Sequence, residues 1–267
     1  MIILVYIMSD IHGCYDEFIE MLEKIDFKDE DTLYILGDVI DRGPEPIKVL
    51  DYIMNHKNIE MILGNHEFMM LDYFKEKEYG ISSKSFKYAK DLWLRNGGEI
   101  TLEKLGECSK EKRIEYIEFI QNLPYFKILE SKKDKYLLVH AGIYPYDLPL
   151  KENIQNQTLD DLLWVRDDFL MSEKKLPFTI IFGHTPTQNA YKKVYMVDKM
   201  LQRLKVKDDF LEKYTPNKII YFNNKIGIDC GLVFGLYLGC IKLNLTNDEI
   251  EEYYILNKNT REMYYLN

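Results

Sequence analysis

The sequence is short of several things that would each have set a direction. Cysteine occurs only at Cys14, Cys108, Cys230 and Cys240, and no two of these have C-x-x-C spacing. That points away from a structural zinc knuckle or a redox dithiol, and four scattered thiols do not make a secreted disulfide framework. A reducing, cytoplasmic location is expected. Long apolar runs are lacking too. The leading MIILVYIM is eight residues, without a basic lead-in or a small-residue cleavage site, and it runs straight into Ser9-Asp10. It reads as a strand rather than a signal peptide. No stretch approaches the roughly 20 apolar residues of a membrane span, so no membrane partner is expected. Positive charge is in deficit, 35 Lys and Arg against 44 Asp and Glu, a net charge of -9. This argues against a general polyanion binder, and nucleic acid is not an expected partner. A local basic pocket for one phosphate remains open. Histidine is scarce as well, with five in 267 residues.

The chain has enough apolar residues, 46%, to bury a sizeable core. Ile2–Met8, Thr32–Leu36 and Glu60–Leu63 read as buried strands. Each is followed by a polar, Gly-containing turn and then a helix, over Asp16–Lys24, over Ile47–Asn55 and from Glu67 onward. Strands alternating with helices predict parallel or mixed α/β layering, with ligands just beyond the strands' carboxyl ends. The three polar loops should therefore converge. From about Leu71 to Asn122 the pattern is helical and charge-rich, broken by Gly97-Gly98, and reads as a helical insertion. Tyr125–Leu129 and Tyr136–His140 read as a hairpin, and Thr179–Phe182 as a further strand. Lys218–Phe222, Lys225–Ile228, Leu236–Leu243 and Glu249–Leu256 are expected to form a second sheet. Without repeats or a clear linker, residues 1–267 are expected to be one domain.

Four of the five histidines, His12, His66, His140 and His184, follow an apolar strand directly, beside Gly, Asn or Asp. One such residue would be unremarkable, but four in the same setting are hard to explain by packing. His56 lies at a helix end and reads as a surface residue. Asp10 is separated from His12 by one residue, so on an extended end the two point the same way. Asp38 and Asp41 follow Gly37, and Asn65 precedes His66. Oxygen and imidazole donors without thiolates suit Mn, Fe or Zn, and the ligands are too many for one tetrahedral ion. Two cations about 3.5–4 Å apart, bridged by a carboxylate, clamp a phosphoryl group and activate a shared water. Arg42 and Arg166 are suited to grip phosphate oxygens in pairs. The simpler readings are an Asp41–Arg42 ion pair and pairing of Arg166 with Asp167 and Asp168.

Asp10-Ile11-His12-Gly13, Gly37-Asp38-Val39-Ile40-Asp41-Arg42-Gly43, Gly64-Asn65-His66-Glu67, His140-Ala141-Gly142 and Gly183-His184-Thr185 together resemble the signature blocks of calcineurin-like metallophosphoesterases. The D-R-G and N-H-E forms resemble the phosphoprotein phosphatase branch, particularly its compact bacterial and phage-type members. The resemblance implies an α/β fold in which two mixed β-sheets pack as a sandwich flanked by helices, four layers in all. It implies two divalent metal ions, Mn2+ first, with Fe, Zn or Ni as alternatives. Asp10 and His12 would hold the first metal, Asp38 would bridge, and Asn65, His140 and His184 would hold the second. His66 paired with Asp41 would be the general acid, its carboxylate partner favouring the imidazolium form. Arg42, Arg166 and Asn65 would contact substrate. Thr185 is expected to orient His184, Glu67 to be structural, and Cys230, in the turn Asp229-Cys230-Gly231, to be a buried filler.

The function expected first is a serine/threonine protein phosphatase acting on a phosphoprotein or small phosphorylated substrate. The runner-up is a symmetrical dinucleoside polyphosphate hydrolase, whose members share the opening D-x-H-G-C-Y-D. Those hydrolases tend to lack the Asp of D-R-G and to carry N-H-D, so Asp41 and Glu67 favour the phosphatase. A 2',3'-phosphoesterase on RNA is disfavoured by the acidic charge. A degenerate scaffold is disfavoured because every proposed ligand is present. Specificity is expected to reside in the insertion and in residues 188–216, neither of which carries a decodable motif.

Overall fold

The computed structural model describes residues 4–79, 83–203 and 211–258. Eleven strands are described: β1 (Leu4–Met8), β2 (Thr32–Ile35), β3 (Ile59–Met61), β4 (Phe126–Glu130), β5 (Lys135–Val139), β6 (Thr179–Phe182), β7 (Leu211–Lys213), β8 (Ile220–Phe222), β9 (Lys225–Gly227), β10 (Tyr237–Asn244) and β11 (Glu249–Leu256). The helices are α1 (Tyr15–Lys24), α2 (Pro46–Asn55), α3 (Asn65–Tyr79), α4 (Ser83–Trp93), α5 (Glu99–Glu107), α6 (Lys110–Gln121), α7 (Leu150–Gln155), α8 (Leu159–Trp164), α9 (Asp167–Leu170) and α10 (Thr187–Arg203). One sheet has the order β11-β10-β1-β2-β3 and the other β4-β5-β6-β9-β8-β7.

Both sheets are mixed. In the first, β1, β2 and β3 run parallel, β10 is antiparallel to β1, and β11 is antiparallel to β10. In the second, β5, β6 and β9 run parallel, β4 and β8 are antiparallel to them, and β7 is antiparallel to β8. Side chains alternate between two cores, as the two-residue period of a strand requires. Val5 and Ile7 pack with Leu138, Ile181, Ile226 and Ile241 between the sheets. Their neighbours Tyr6 and Met8 face the opposite way, against Phe18, Met21 and Leu50 of α1 and α2. Leu137, Val139 and Phe182 face outward on the second sheet, against Phe169 and α10 residues Ala190 and Val194. The layers are thus helix, sheet, sheet, helix.

One expectation differs from the structure, and two segments had no structure assigned from the sequence. The C-terminal strands do not form a sheet of their own. β8 and β9 extend the sheet that holds β6, while β10 returns to pair with β1, Met8 opposite Cys240. Periodicity identifies a strand but says nothing about its partner. The short helices α7 to α9, between β5 and β6, were not foreseen, because four to six residues are too few to show a helical repeat. Residues 188–216 turn out to be most of α10, then β7, with 204–210 outside the described residues. The insertion is helical, and its break is a π-type turn at Leu94–Gly98 with Gly97 at φ 95°.

The consequence for the site lies in the register. Met8 is level with Ile35, and Ile35 with Met61. In the other sheet Val139 is level with Phe182, and Phe182 with Gly227. Six parallel strands end together along one edge of the sandwich, and the residues after each end fall into one place. Among the described residues no helix is long and apolar enough to cross a membrane.

Candidate metal centre

The polar residues at these strand ends have unusual backbones. Asp10 (φ 53°), His12 (φ 45°), Asp38 (φ 55°), Asp41 (φ 69°), Arg42 (φ 66°) and His184 (φ 61°) all lie in the left-handed region. Non-glycine residues rarely adopt it, and such strain clusters where the surroundings over-determine a functional geometry. The expected extended presentation of Asp10 and His12 is therefore replaced by a tight turn. Loop-to-loop bonds hold it: His12 N–H donates to Asp38 O at 2.9 Å and Gly13 N–H to Val39 O at 2.8 Å. Glu67 braces the neighbouring loop from beneath, accepting from the backbone N–H groups of Asp38 (2.8 Å), Val39 (2.9 Å), Ile40 (3.3 Å) and Gly64 (3.1 Å).

Asp38 stands between two groups of ligand atoms. Oδ2 is 3.6 Å from His12 Nε2 and 3.9 Å from His66 Nε2. Oδ1 is 3.4 Å from His140 Nε2. Asn65 Oδ1 is 2.8 Å from His140 Nε2 and 3.0 Å from His184 Nδ1. Ligand atoms of His12, Asp38 and His66 lie within 4.8 Å of one another, as do those of Asp38, His140 and His184. Asp10 is in neither group, and His66, expected as the general acid, falls in the first. Oδ2 of Asp10 is engaged by the Ser9 hydroxyl and by His184 N–H at 2.9 Å.

The donors fit divalent cations. His12 Nδ1 faces Ile40 O at 2.9 Å and His140 Nδ1 faces Leu36 O at 2.7 Å. A ring nitrogen facing a carbonyl carries the proton, so the neutral ring has a bare Nε2. Burial holds both rings neutral, His140 down to about 4 and His12 well below its usual value. The bare nitrogen of His140 then faces the Asn65 carbonyl and the Asp38 carboxylate, acceptor against acceptor, and a cation between them would reconcile the arrangement. The buried carboxylates say the same. Burial pushes Asp10 and Asp38 well above the usual range, and Asp229 up to about 6; Asp229 further raises Asp10, which in turn raises Asp38. So much crowded negative charge is relieved by a dication.

Asp41 Oδ2 meets His66 Nδ1 at 2.7 Å, with both groups buried. The expected imidazolium is not what burial sets up. Burial, then the Arg42 and His140 charges, take His66 well below its usual value. Burial also raises Asp41 to about 7, against the pull of Thr101, Trp93 and Arg42. Burial thus disfavours charge on both partners. Arg42 Nη1 reaches His12 Nε2 at 2.8 Å and Arg166 Nε donates to His184 Nε2 at 3.0 Å. Both arginines are exposed at the rim. Arg166 is not tied up by its acidic neighbour Asp167, which pairs with Lys193 at 2.8 Å.

Other expected positions vary. Thr185, expected to orient His184, has a buried hydroxyl with no hydrogen-bond partner. His56 is half-buried, stacked on Tyr52 at 3.9 Å. Cys230 is buried. Sequence reasoning missed Asp229, although it follows β9 just as Asp38 follows β2, and the same strand-end signal would have found it. It also missed Trp93, whose indole donates to Asp41 at 2.9 Å, and Thr101, whose hydroxyl accepts from Asp41 N–H at 2.9 Å. Both come from the insertion and carried no local signal.

This edge gathers Asp, Asn and His donors that could hold divalent metal, and comparison with known proteins points to the same class. Residues 3–221 match the family model described as calcineurin-like phosphoesterase. The chain belongs to that family, whose members use divalent metals. Among curated relatives, it is 32% identical over 144 residues to a symmetrical bis(5'-nucleosyl)-tetraphosphatase of Buchnera aphidicola, covering 53% of this chain and 44% of that one. The namesake from Shigella dysenteriae is 35% identical over 147 residues, covering 54% and 45%. The match thus spans under half the length of these relatives. Two solved structures share the fold. One, provisionally described as a diadenosine tetraphosphatase, gives a TM-score of 0.58 at 20% identity, over 95% of this chain and 94% of that one. The other, a Saccharomyces cerevisiae protein serine/threonine phosphatase, gives 0.54 at 14% identity, over 98% and 82%. The sequence relatives thus favour the runner-up over the protein phosphatase expected first. In the structure Asp41 partners His66 and Glu67 braces backbone, contacts that do not by themselves choose between the two substrates.

Proposed function

We propose that the chain hydrolyses dinucleoside polyphosphates, adding water across a phosphoanhydride to release two nucleotides. The likeness to symmetrical tetraphosphatases over half the chain carries this reading. The geometry supplies what the reaction needs. Asp38, between the two imidazole groups, would bridge a metal pair, with His12 on one side and His140 and His184 on the other; the family resemblance would add Asp10 to the first side and Asn65, whose carbonyl lies 3.0 Å from His184 Nδ1, to the second. Two cations there, Mn2+ first, would polarise the phosphoryl oxygens and activate water. Arg42 and Arg166 would turn from the bare imidazole nitrogens they now meet to the phosphate oxygens, gripping the charge that builds up. Asn65 would add a polar contact to substrate. His66, oriented by Asp41, would hand a proton to the departing oxygen.

The test compares diadenosine tetraphosphate, a phosphoserine peptide and a 2',3'-cyclic nucleotide under Mn2+, with products separated by chromatography. The proposal expects the dinucleotide to be cut with the highest kcat/KM, giving ADP alone. Preference for the phosphopeptide would restore the protein phosphatase, and AMP plus ATP as products would remove the symmetrical assignment.

A further inference from the structure

Arg42 has an aromatic neighbour to which the proposed reaction gives no role. Its guanidinium carbon is 5.7 Å from the ring centroid of Phe234, while its Nη1 is 2.8 Å from His12 Nε2. Phe234 is 44% exposed, while His12, which the same arginine meets, is buried. A single exposed phenyl is ordinary on a protein surface. Position and rigidity set this one apart.

Phe234 ends the one-turn helix Leu232–Phe234, bracketed by Gly231 (φ 77°) and Gly235 (φ 78°), both in the conformation that glycine adopts without penalty. Phe234 N–H donates to Gly231 O at 3.0 Å and Gly235 N–H to Leu232 O at 3.0 Å. Leu232 is buried, and its carbonyl accepts from the Asn257 side chain at 2.9 Å. The turn is also tied to the metal edge, because Gly231 N–H donates to the Asp229 carboxylate at 2.9 Å. The turn that carries the ring is thus fixed to the same framework as Asp229, with nearly half of Phe234 open to solvent.

A phosphate held by Arg42 would leave its attached group near this ring. We infer that Phe234 is a specificity residue whose ring stacks against a nucleobase one ribose away from the phosphate on Arg42. The inference rests on the dinucleotide reading for its choice of ligand. A π face suits any base, and an aromatic already fixed in place loses little freedom when it stacks. The bland rival is a ring that merely props Arg42 by a cation–π contact. That role would act on every phosphate alike, whereas stacking acts only on ligands that carry a base.

The test uses the Mn2+-loaded enzyme hydrolysing p-nitrophenyl phosphate, with AMP and ribose 5-phosphate as competing inhibitors. The readout is the ratio of their inhibition constants in the wild type, Phe234→Ala and Phe234→Trp. Stacking predicts that the wild type binds AMP about 10-fold more tightly than ribose 5-phosphate. The ratio should fall to near one in the alanine variant and be kept or enlarged in the tryptophan variant. A wild-type ratio near one overturns the inference, and so does a ratio unmoved by Phe234→Ala. The two readings fail separately. An AMP preference lost on removing the ring stands even if diadenosine tetraphosphate proves a poor substrate, and efficient cleavage of the dinucleotide without that preference sinks only the platform.

Discussion

The indole Nε1 of Trp93 donates to Oδ2 of Asp41 at 2.9 Å, the same oxygen that meets His66 Nδ1 at 2.7 Å. The helical insertion, expected to govern specificity, thus reaches into the chemistry. Its end at Trp93 helps fix the carboxylate, and Thr101 fixes the Asp41 backbone. Trp93→Phe keeps an aromatic ring in a wholly buried position but removes the donor. The stability loss should be about 1–3 kcal/mol, measured by urea unfolding. kcat should fall several-fold, because the carboxylate loses a restraint on its angle to His66. Unchanged kcat with lowered stability would make Trp93 a packing residue only.

His66→Asn should separate substrates by leaving group. An alkoxide leaving from a phosphoserine peptide needs a proton, whereas nitrophenolate or a nucleotide phosphate leaves with far less help. The expected fall is roughly 10²–10⁴-fold on the peptide and much smaller on nitrophenyl phosphate. Steady-state kinetics on both checks it. Equal losses would take the proton-donor role away from His66.

Asp38→Asn tests the bridging role. Asp38 faces imidazoles with both oxygens, so removing its charge should loosen both cations together. Mass spectrometry of the dialysed protein should find well under one metal per chain, against about two for the wild type. Loss of a single ion would make Asp38 the ligand of one metal alone.

Lys225 carries a pH prediction away from the metals. Its Nζ donates to Ser172 O at 2.9 Å and lies 5.1 and 5.4 Å from the ring centroids of Phe169 and Phe222. Burial lowers its pKa from 10.5 to about 7. Between those values the unfolded chain holds a proton that the folded chain lacks, so stability attributable to Lys225 rises with pH across this window. Below about 7 both states are protonated and the dependence stops. The difference in unfolding free energy between the wild type and Lys225→Met should therefore shift in favour of the wild type from pH 7 to pH 10. A difference that stays flat would mean that the buried amine remains charged.

Much of this site was legible because each ligand type directly follows an apolar strand. Asp10, Asp38, Asn65, His140 and His184 all obey that rule, and Asp229 obeys it too but was read only as a turn. The strands themselves were legible for the same reason, down to Thr179–Phe182. What could not be read was pairing at a distance. Nothing local in Leu236–Leu243 says that it returns to β1, and nothing in Trp93 says that it bonds a carboxylate 52 positions earlier. Charge states were illegible in the same way. Asp41 beside His66 suggests an ion pair, but burial, which a sequence does not display, raises the acid and lowers the base.

A pair of neighbouring cations at one edge of the sandwich should be visible by anomalous diffraction from a crystal soaked in Mn2+. Two peaks are expected about 3.5–4 Å apart, one on each side of the Asp38 carboxylate, with His140 and His184 at one and His12 at the other. A single peak, or peaks away from Asp38, would contradict that pairing.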